Sequence, residues 1–206
     1  MIQANHTKFW VRISKYFSKY LIAFFFRNVR YTGEYKEENL PILLISNHFS
    51  WFDGFIQIAL NFKVFKRCFH FMMLEKELGK NMILTKVGAS SINKGNRSSL
   101  ESLDYAVEIL QKKENLFLFF PQGGIKSIYT REFTFEKGLL NHILKNVRND
   151  YQLVFNVNLI DYGPHRRPEM NIFYKMQTIN ATTNAYDVER EFNRYAQECF
   201  TKLGVK

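Results

Sequence analysis

From Lys8 to Arg30 the apolar positions Phe9, Trp10, Ile13, Tyr16, Phe17, Tyr20, Leu21 and Phe24 recur at three- and four-residue spacing. That period predicts a helix over 8–30. Lys8, Arg12, Ser14, Lys15, Ser18 and Lys19 fall between them, so one face is aromatic and the other cationic, the pattern of a helix lying in the plane of a membrane interface. Phe25, Phe26, Arg27 and Arg30 continue the pairing to the end of the segment. The competing reading packs the aromatic face on the protein's own core.

Beyond Gly33 the pattern changes to short apolar runs alternating with helical stripes, the order expected of an α/β domain. Pro41–Ile45 reads as a strand, then a polar turn at Ser46-Asn47-His48, then a helix from Trp51 to Leu60. Cys68–Leu74 reads as a second strand, Ser98–Lys112 as a helix by its Leu100, Leu103, Ala106/Val107 and Leu110 stripe, and Leu116–Phe120 as a fully apolar, central strand. Pro121-Gln122-Gly123-Gly124 breaks that strand. A helix over Glu136–Val147, strands over Gln152–Ile160 and Asn171–Met176, and a closing helix over Val188–Leu203 complete the pattern. The expected organisation is an amphipathic docking helix over 1–33 and an α/β domain over 34–206, with a central mixed sheet flanked by helices.

Composition narrows the partners. The 206 residues are 46% hydrophobic, enough for a sizeable core, and 29 Lys+Arg against 19 Asp+Glu give a net charge of +10, which favours an anionic surface or partner. Nucleic acid, anionic lipid and an acidic carrier protein or phosphorylated substrate all meet that condition. Aromatic residues at 17%, interleaved with basic ones, fit the membrane interface. No helix-turn-helix, zinc-knuckle or RNP-type signature occurs, so no nucleic acid is expected as a partner. The longest apolar run near the start, Tyr20–Phe26, is far short of the roughly twenty residues a span needs, and Arg12, Lys15 and Lys19 interrupt any signal-peptide pattern. Cys68 and Cys199 form no C-x-x-C pair, which fits a reducing compartment. The expected location is therefore peripheral, on the cytoplasmic face of the cell membrane. His6, His48, His70, His142 and His165 show no ligand spacing in the sequence, and no metal is expected.

The chemistry-bearing residues gather at two turns. Asn47-His48-Phe49-Ser50-Trp51-Phe52-Asp53 straddles the join between the first apolar strand and its helix. On one continuous helix a five-residue step turns about 500° and separates the two side chains, whereas a strand-to-helix turn lets them meet. A carboxylate on one imidazole nitrogen fixes the tautomer and steadies the imidazolium formed when the other nitrogen takes a proton. Such a pair needs no protein nucleophile, because a substrate hydroxyl can attack directly. Ser50-x-x-Asp53 also satisfies the pattern of a helix capping box, a purely structural use of the same residues. Roughly seventy residues on, the Pro121-Gln122-Gly123-Gly124 turn ends another apolar strand, where glycines let backbone amides approach a ligand and open α/β sheets bind ligands. An ordinary turn is its structural alternative.

In this order the two motifs resemble the lysophospholipid-acyltransferase family, whose signature is Asn-His-x-x-x-x-Asp followed by Phe-Pro-Glu-Gly-Thr-Arg. The resemblance covers roughly residues 40–160 and includes Lys76-Glu77-Leu78, the Gly88–Lys94 stretch, and Phe135-Glu136-Lys137-Gly138. It implies acyl transfer from an acyl-CoA or acyl-carrier-protein thioester to a lysolipid acceptor, with His48 as base and Asp53 orienting it. Neither implies a cofactor; the thioester is a co-substrate. Asn47, Lys94, Arg97, Pro121, Gln122, Gly123, Gly124 and Lys126 are the implied substrate-binding positions, Lys94 standing where the family's phosphate-binding block Gly-x-Ile-x-Ile-x-Arg has its arginine. The chain departs from the signature at Gln122 (Glu), Gly124 (Thr) and Ile125 (Arg). Without that arginine a bidentate phosphate clamp is missing, and the ammonium of Lys126 does not reproduce its geometry. An amino-acid or sugar lipid is thus an alternative acceptor, and hydrolysis of the thioester an alternative reaction. No Gly-x-Ser-x-Gly elbow occurs.

Overall fold

The computed structural model describes residues 1–93, 98–177 and 183–204. Seven strands among them form one mixed sheet: β1 (Asn28–Glu34), β2 (Ile42–Ser46), β3 (Cys68–Leu74), β4 (Ala89–Ile92), β5 (Asn115–Phe119), β6 (Gln152–Asp161) and β7 (Glu169–Gln177). Their spatial order is β1-β7-β6-β2-β5-β3-β4. Every neighbouring pair is parallel except β6 with β7. Six helices join them: α1 (Lys8–Phe25), α2 (Asp53–Leu60), α3 (Glu75–Lys80), α4 (Ser98–Ile109), α5 (Lys137–Asn146) and α6 (Ala185–Lys202). A π-helical turn at Asn61–Phe65 extends α2, and a 3-10 helix at Met82–Val87 follows α3.

The β2 sequence Ile42-Leu-Leu-Ile-Ser46 is buried throughout, because a parallel central strand is covered on both faces. Alternate side chains point to opposite layers. Leu43 and Ile45 join Phe117, Phe119, Phe155 and Phe192 in a core with α4, α5 and α6, while Ile42 and Leu44 join Leu116, Leu118, Ile56 and Ile22 beneath α1 and α2. This α/β architecture matches the mixed sheet flanked by helices expected from the pattern.

Two differences lie at the N-terminal side. The helix predicted over 8–30 ends at Phe25: Phe26 is extended and buried, and residues 28–34 pair with β7 from Asn28↔Glu169 to Glu34↔Lys175. Strand pairing overrides a helical aromatic pattern there, and the boundary drawn at residue 33 falls inside β1. Within α1 the buried stripe is Ser18 and Ile22, packed toward α2, whereas Phe9, Ile13, Tyr16, Phe17, Tyr20 and Phe24 are exposed. Arg167, reaching over from the β6–β7 loop, donates to the carbonyls of Ala23 and Phe24 and so caps the end of this helix. Residues 1–7 run beside the 3-10 helix and β4, with Asn5 donating to Thr85 and Thr7 to Lys86. They cover His70, whose pKa burial and the neighbouring His6 push down to about 4.

Candidate active site

β2 and β5 are parallel neighbours, so the turns that follow them emerge at the same edge of the sheet. His48 leaves the end of β2 and Asp53 opens α2, the chain reversing between them. The reversal brings His48 Nδ1 to 2.8 Å from Asp53 Oδ2. The same oxygen accepts the backbone N–H groups of Phe49 at 2.6 Å and Ser50 at 2.8 Å. Asp53 is fully buried. Three donors thus replace water at that one oxygen, while Oδ1 is buried without a hydrogen-bond partner. Half of the capping-box reading is therefore real: the acid reaches back to Ser50 N–H, but the N-terminus of α2 receives no side-chain cap.

With a carboxylate as acceptor, Nδ1 carries the proton and Nε2 holds a free lone pair. No hydrogen bond to Nε2 forms among the described residues. The imidazole lies flat on Phe120, ring centroids 4.3 Å apart and planes 17° from parallel, and its side chain is 21% exposed. It is fixed on one edge, stacked on one face and open to an incoming group.

The Pro121–Gly124 turn is bolted to the histidine. Gln122 is buried and its Oε1 accepts the backbone N–H of His48 at 2.7 Å, while Lys126 N–H donates to the His48 carbonyl at 2.9 Å. Gly123 takes a left-handed backbone, φ 71°, which favours glycine; a Cβ there would lie 1.8 Å from Oε1 of the Glu136 side chain, which would have to shift. The Gly123 N–H donates to Phe120 and Pro121 accepts from Glu136 N–H. Gly124 is exposed with open space around it. A Phe-Pro-Gln-Gly-Gly turn latched onto a His-x-x-x-x-Asp pair at adjacent strand ends now stands beside a second observation: a family model described as Acyltransferase matches residues 28–154, more than half of the chain.

The chain belongs to the acyltransferase family. No curated protein matches the sequence. The family match runs from β1 into β6 and contains both turns of the site.

Of the positions expected to bind substrate in this acyltransferase, Pro121, Gln122, Gly123, Gly124 and Lys126 gather at the His48–Asp53 pair. Asn47 does not face the opening. It is buried, its Nδ2 donating to the Asn158 carbonyl at 2.9 Å and its Oδ1 accepting Asn158 N–H at 2.8 Å, so it extends the β2–β6 ladder by one side chain. Lys94 and Arg97 lie outside the described residues.

Sequence reading missed the polar layer behind the site. Ser46 Oγ donates to Asn156 Oδ1 at 2.7 Å, Gln57 Nε2 reaches the same oxygen at 2.6 Å and Ser46 Oγ at 2.9 Å, and Asn156 Nδ2 donates to the Phe173 carbonyl at 2.9 Å. All are buried. This network ties β2, α2, β6 and β7 together directly under His48. Its signal was present: Asn156 and Asn158 interrupt an apolar strand two residues apart, on one face, where only a partnered polar group is tolerated.

An aromatic rim runs from the site to α1. Trp51 is 66% exposed and packs edge-on against Phe52 and Phe55; Phe25 stacks on Phe52 at 5.8 Å and Phe17 meets Phe55 at 5.2 Å. Among the described residues no helix is long and apolar enough to cross a membrane.

Proposed function

We propose that this acyltransferase moves a fatty acyl group from an acyl-CoA or acyl-carrier-protein thioester to a hydroxyl of a lysolipid at an anionic membrane surface. The observation that carries the reading is the His48–Asp53 pair, with Nδ1 committed to a buried carboxylate and Nε2 uncommitted. In the reaction Nε2 takes the acceptor hydroxyl proton as the oxygen attacks the thioester carbonyl. The tetrahedral oxyanion then collapses, the C–S bond breaks, and the imidazolium returns the proton to the departing thiolate. Asp53 offsets the imidazolium charge throughout. The Gly123–Gly124 turn, held against His48 by Gln122 and Lys126, is the place for the acceptor or the oxyanion.

Membrane docking draws its support from α1. Its aromatic side chains are exposed rather than packed inward, its cations flank them, and the Phe25–Phe52–Trp51 rim leads from that face to His48. A helix so placed brings the acceptor's own surface to the base, on the cytoplasmic side where acyl thioesters are supplied. Ile125, exposed and uncharged, occupies the position of the family's arginine, which favours an acceptor headgroup without a tightly clamped phosphate.

The deciding experiment incubates the purified chain with labelled acyl-CoA or acyl-carrier protein and a total lipid extract, and identifies the acylated lipid by mass spectrometry. The expected product is an acylated lysolipid formed by wild type and lost in His48→Ala. Thiol release at the same rate without lipid would make the chain a thioesterase, and turnover retained by a folded His48→Ala would remove the proposed base.

A further inference from the structure

Just before the N-terminal end of α1, the N-terminal segment lays His6 on the start of β3, where Cys68 and His70 project from the same face two residues apart. One ligand atom from each of His6, Cys68 and His70 lies within 4.8 Å of the others. His6 Nε2 is 3.7 Å from Cys68 Sγ, and the two imidazoles meet edge-on with centroids 4.6 Å apart. Zn–S and Zn–N bonds of about 2.3 and 2.0–2.1 Å at a tetrahedral angle put sulfur and nitrogen about 3.6 Å apart. The cysteine–histidine edge already has that length.

The state of His70 is the second observation. His70 Nδ1 is buried without a hydrogen-bond partner, on a residue only 8% exposed, an unsatisfied nitrogen of the kind native interiors avoid. The backbone makes room for the set: Gly88, at φ 108°, has no Cβ, and one there would sit 2.8 Å from His6 Nε2. Arg67, the adjacent cation, is turned away, paired with Glu37 and donating to the Lys113 and Leu40 carbonyls.

We propose that His6, Cys68 and His70 bind a zinc-class divalent transition-metal ion. Two imidazoles and a thiolate suit that class over calcium or magnesium. On binding, Cys68 releases its thiol proton to solvent, His6 gives up its Nε2–H bond to the Phe69 carbonyl and carries its ring proton on Nδ1, and no electron is transferred. His6 and Cys68 open onto a cavity of about 190 Å³ bordered by Val11, Ile58 and Phe62, which leaves the fourth position to water or a small ligand. The ion fastens residues 1–7, and with them the root of α1, to β3. Sequence spacing could not show it, since His6 reaches the Cys-x-His pair from sixty residues away.

The test uses the full chain, stripped with chelator and titrated with Co²⁺ and then Zn²⁺. One equivalent of cobalt is expected, with a thiolate charge-transfer absorption, tetrahedral visible bands and displacement by zinc. Cys68→Ser should abolish the charge-transfer absorption and His6→Gln should weaken binding at least about tenfold, while His142→Gln should not change it. Both test positions are at least partly exposed, so the variants keep the fold. As a measurement needing no variant, zinc should protect Cys68 of the wild-type chain from alkylation. No stoichiometric binding at micromolar metal, binding unchanged in Cys68→Ser, or an unprotected Cys68 would each overturn the site, whatever the acyl-transfer assay gives.

Discussion

Gln122 Oε1 accepts the backbone N–H of His48 at 2.7 Å, joining two turns that lie 74 residues apart in sequence. The residue at the second position of the Pro-Gln-Gly-Gly turn thus holds the histidine's backbone rather than reaching outward, and a carboxylate oxygen would fit the same bond. The exchange of glutamate for glutamine relative to the family signature preserves the latch and removes a charge.

Gln122→Glu should therefore fold and turn over, but with altered pH dependence. An added carboxylate beside His48 favours the imidazolium, so the base loses its lone pair at a higher pH and the acid limb of kcat/KM moves upward. Gln122→Leu should lower the melting temperature by orphaning His48 N–H, a cost of about 1–3 kcal/mol, and reduce kcat. A pH profile and thermal melts decide it; an unmoved acid limb together with an unchanged Tm for the leucine variant would show the latch to be idle.

Asp53 serves the backbone and the imidazole with one oxygen, so its two roles separate only by substitution. Asp53→Asn keeps the size but offers a neutral acceptor to three donors, and it no longer offsets an imidazolium. Turnover should fall by about 10²–10⁴-fold, with a loss of about 1–3 kcal/mol in stability from the weakened Phe49 and Ser50 bonds. Denaturant titration beside single-turnover kinetics reads both. An unaffected rate would remove Asp53 from the chemistry, and an unaffected midpoint would reduce it to chemistry alone.

The Ser46–Gln57–Asn156 network predicts a non-additive pair. Asn156→Leu takes one hydrogen bond each from Ser46 Oγ, Gln57 Nε2 and the Phe173 carbonyl, while the Gln57–Ser46 bond remains, and should cost about 1–3 kcal/mol. The Gln57–Asn156 bond is lost in either single variant, so the Asn156→Leu/Gln57→Leu double variant should be less destabilised than the two single losses summed. Urea midpoints of the four proteins test this. Strict additivity would mean that these groups do not act as one network.

The α/β alternation and both site turns were legible because each rests on local signals: apolar runs ended by glycine, proline or asparagine, and helical stripes between them. β3 was read to the residue, and α5, α6, β5 and β6 within a few residues of their ends. β1 and β4 were not legible. β1 carries one glycine and mostly polar, exposed residues, and exists because β7 offers it an unpaired edge. α3 and the 3-10 helix are too short to show a period. At the site, the sequence located His48, Asp53 and the Pro121 turn, but not the use to which Asn47 and Gln122 are put, since a hydrogen bond to a distant backbone leaves no local pattern. The polarity of Asn156, Asn158 and Gln57 was visible; which groups they satisfy was not.

The exposed face of α1 gives a prediction that separates docking from folding. Phe9, Tyr20 and Phe24 are exposed in the isolated chain, whereas Ile22 on the opposite stripe is buried against the α2 layer. A Phe9→Ser/Tyr20→Ser/Phe24→Ser variant should keep its Tm within error and bind anionic liposomes at least about tenfold more weakly, since burying an aromatic side chain is worth about 1.5–3 kcal/mol and about 1.4 kcal/mol is a factor of ten. Ile22→Ala should do the reverse, losing about 2–5 kcal/mol of stability while leaving the aromatic face in place, so that the protein still folded continues to bind. Raising salt should weaken the wild type further, because the lysines and arginines between the aromatics act through a screened attraction. Co-sedimentation read beside thermal melts settles the matter: liposome binding by the triple variant at wild-type strength would take α1 out of membrane docking.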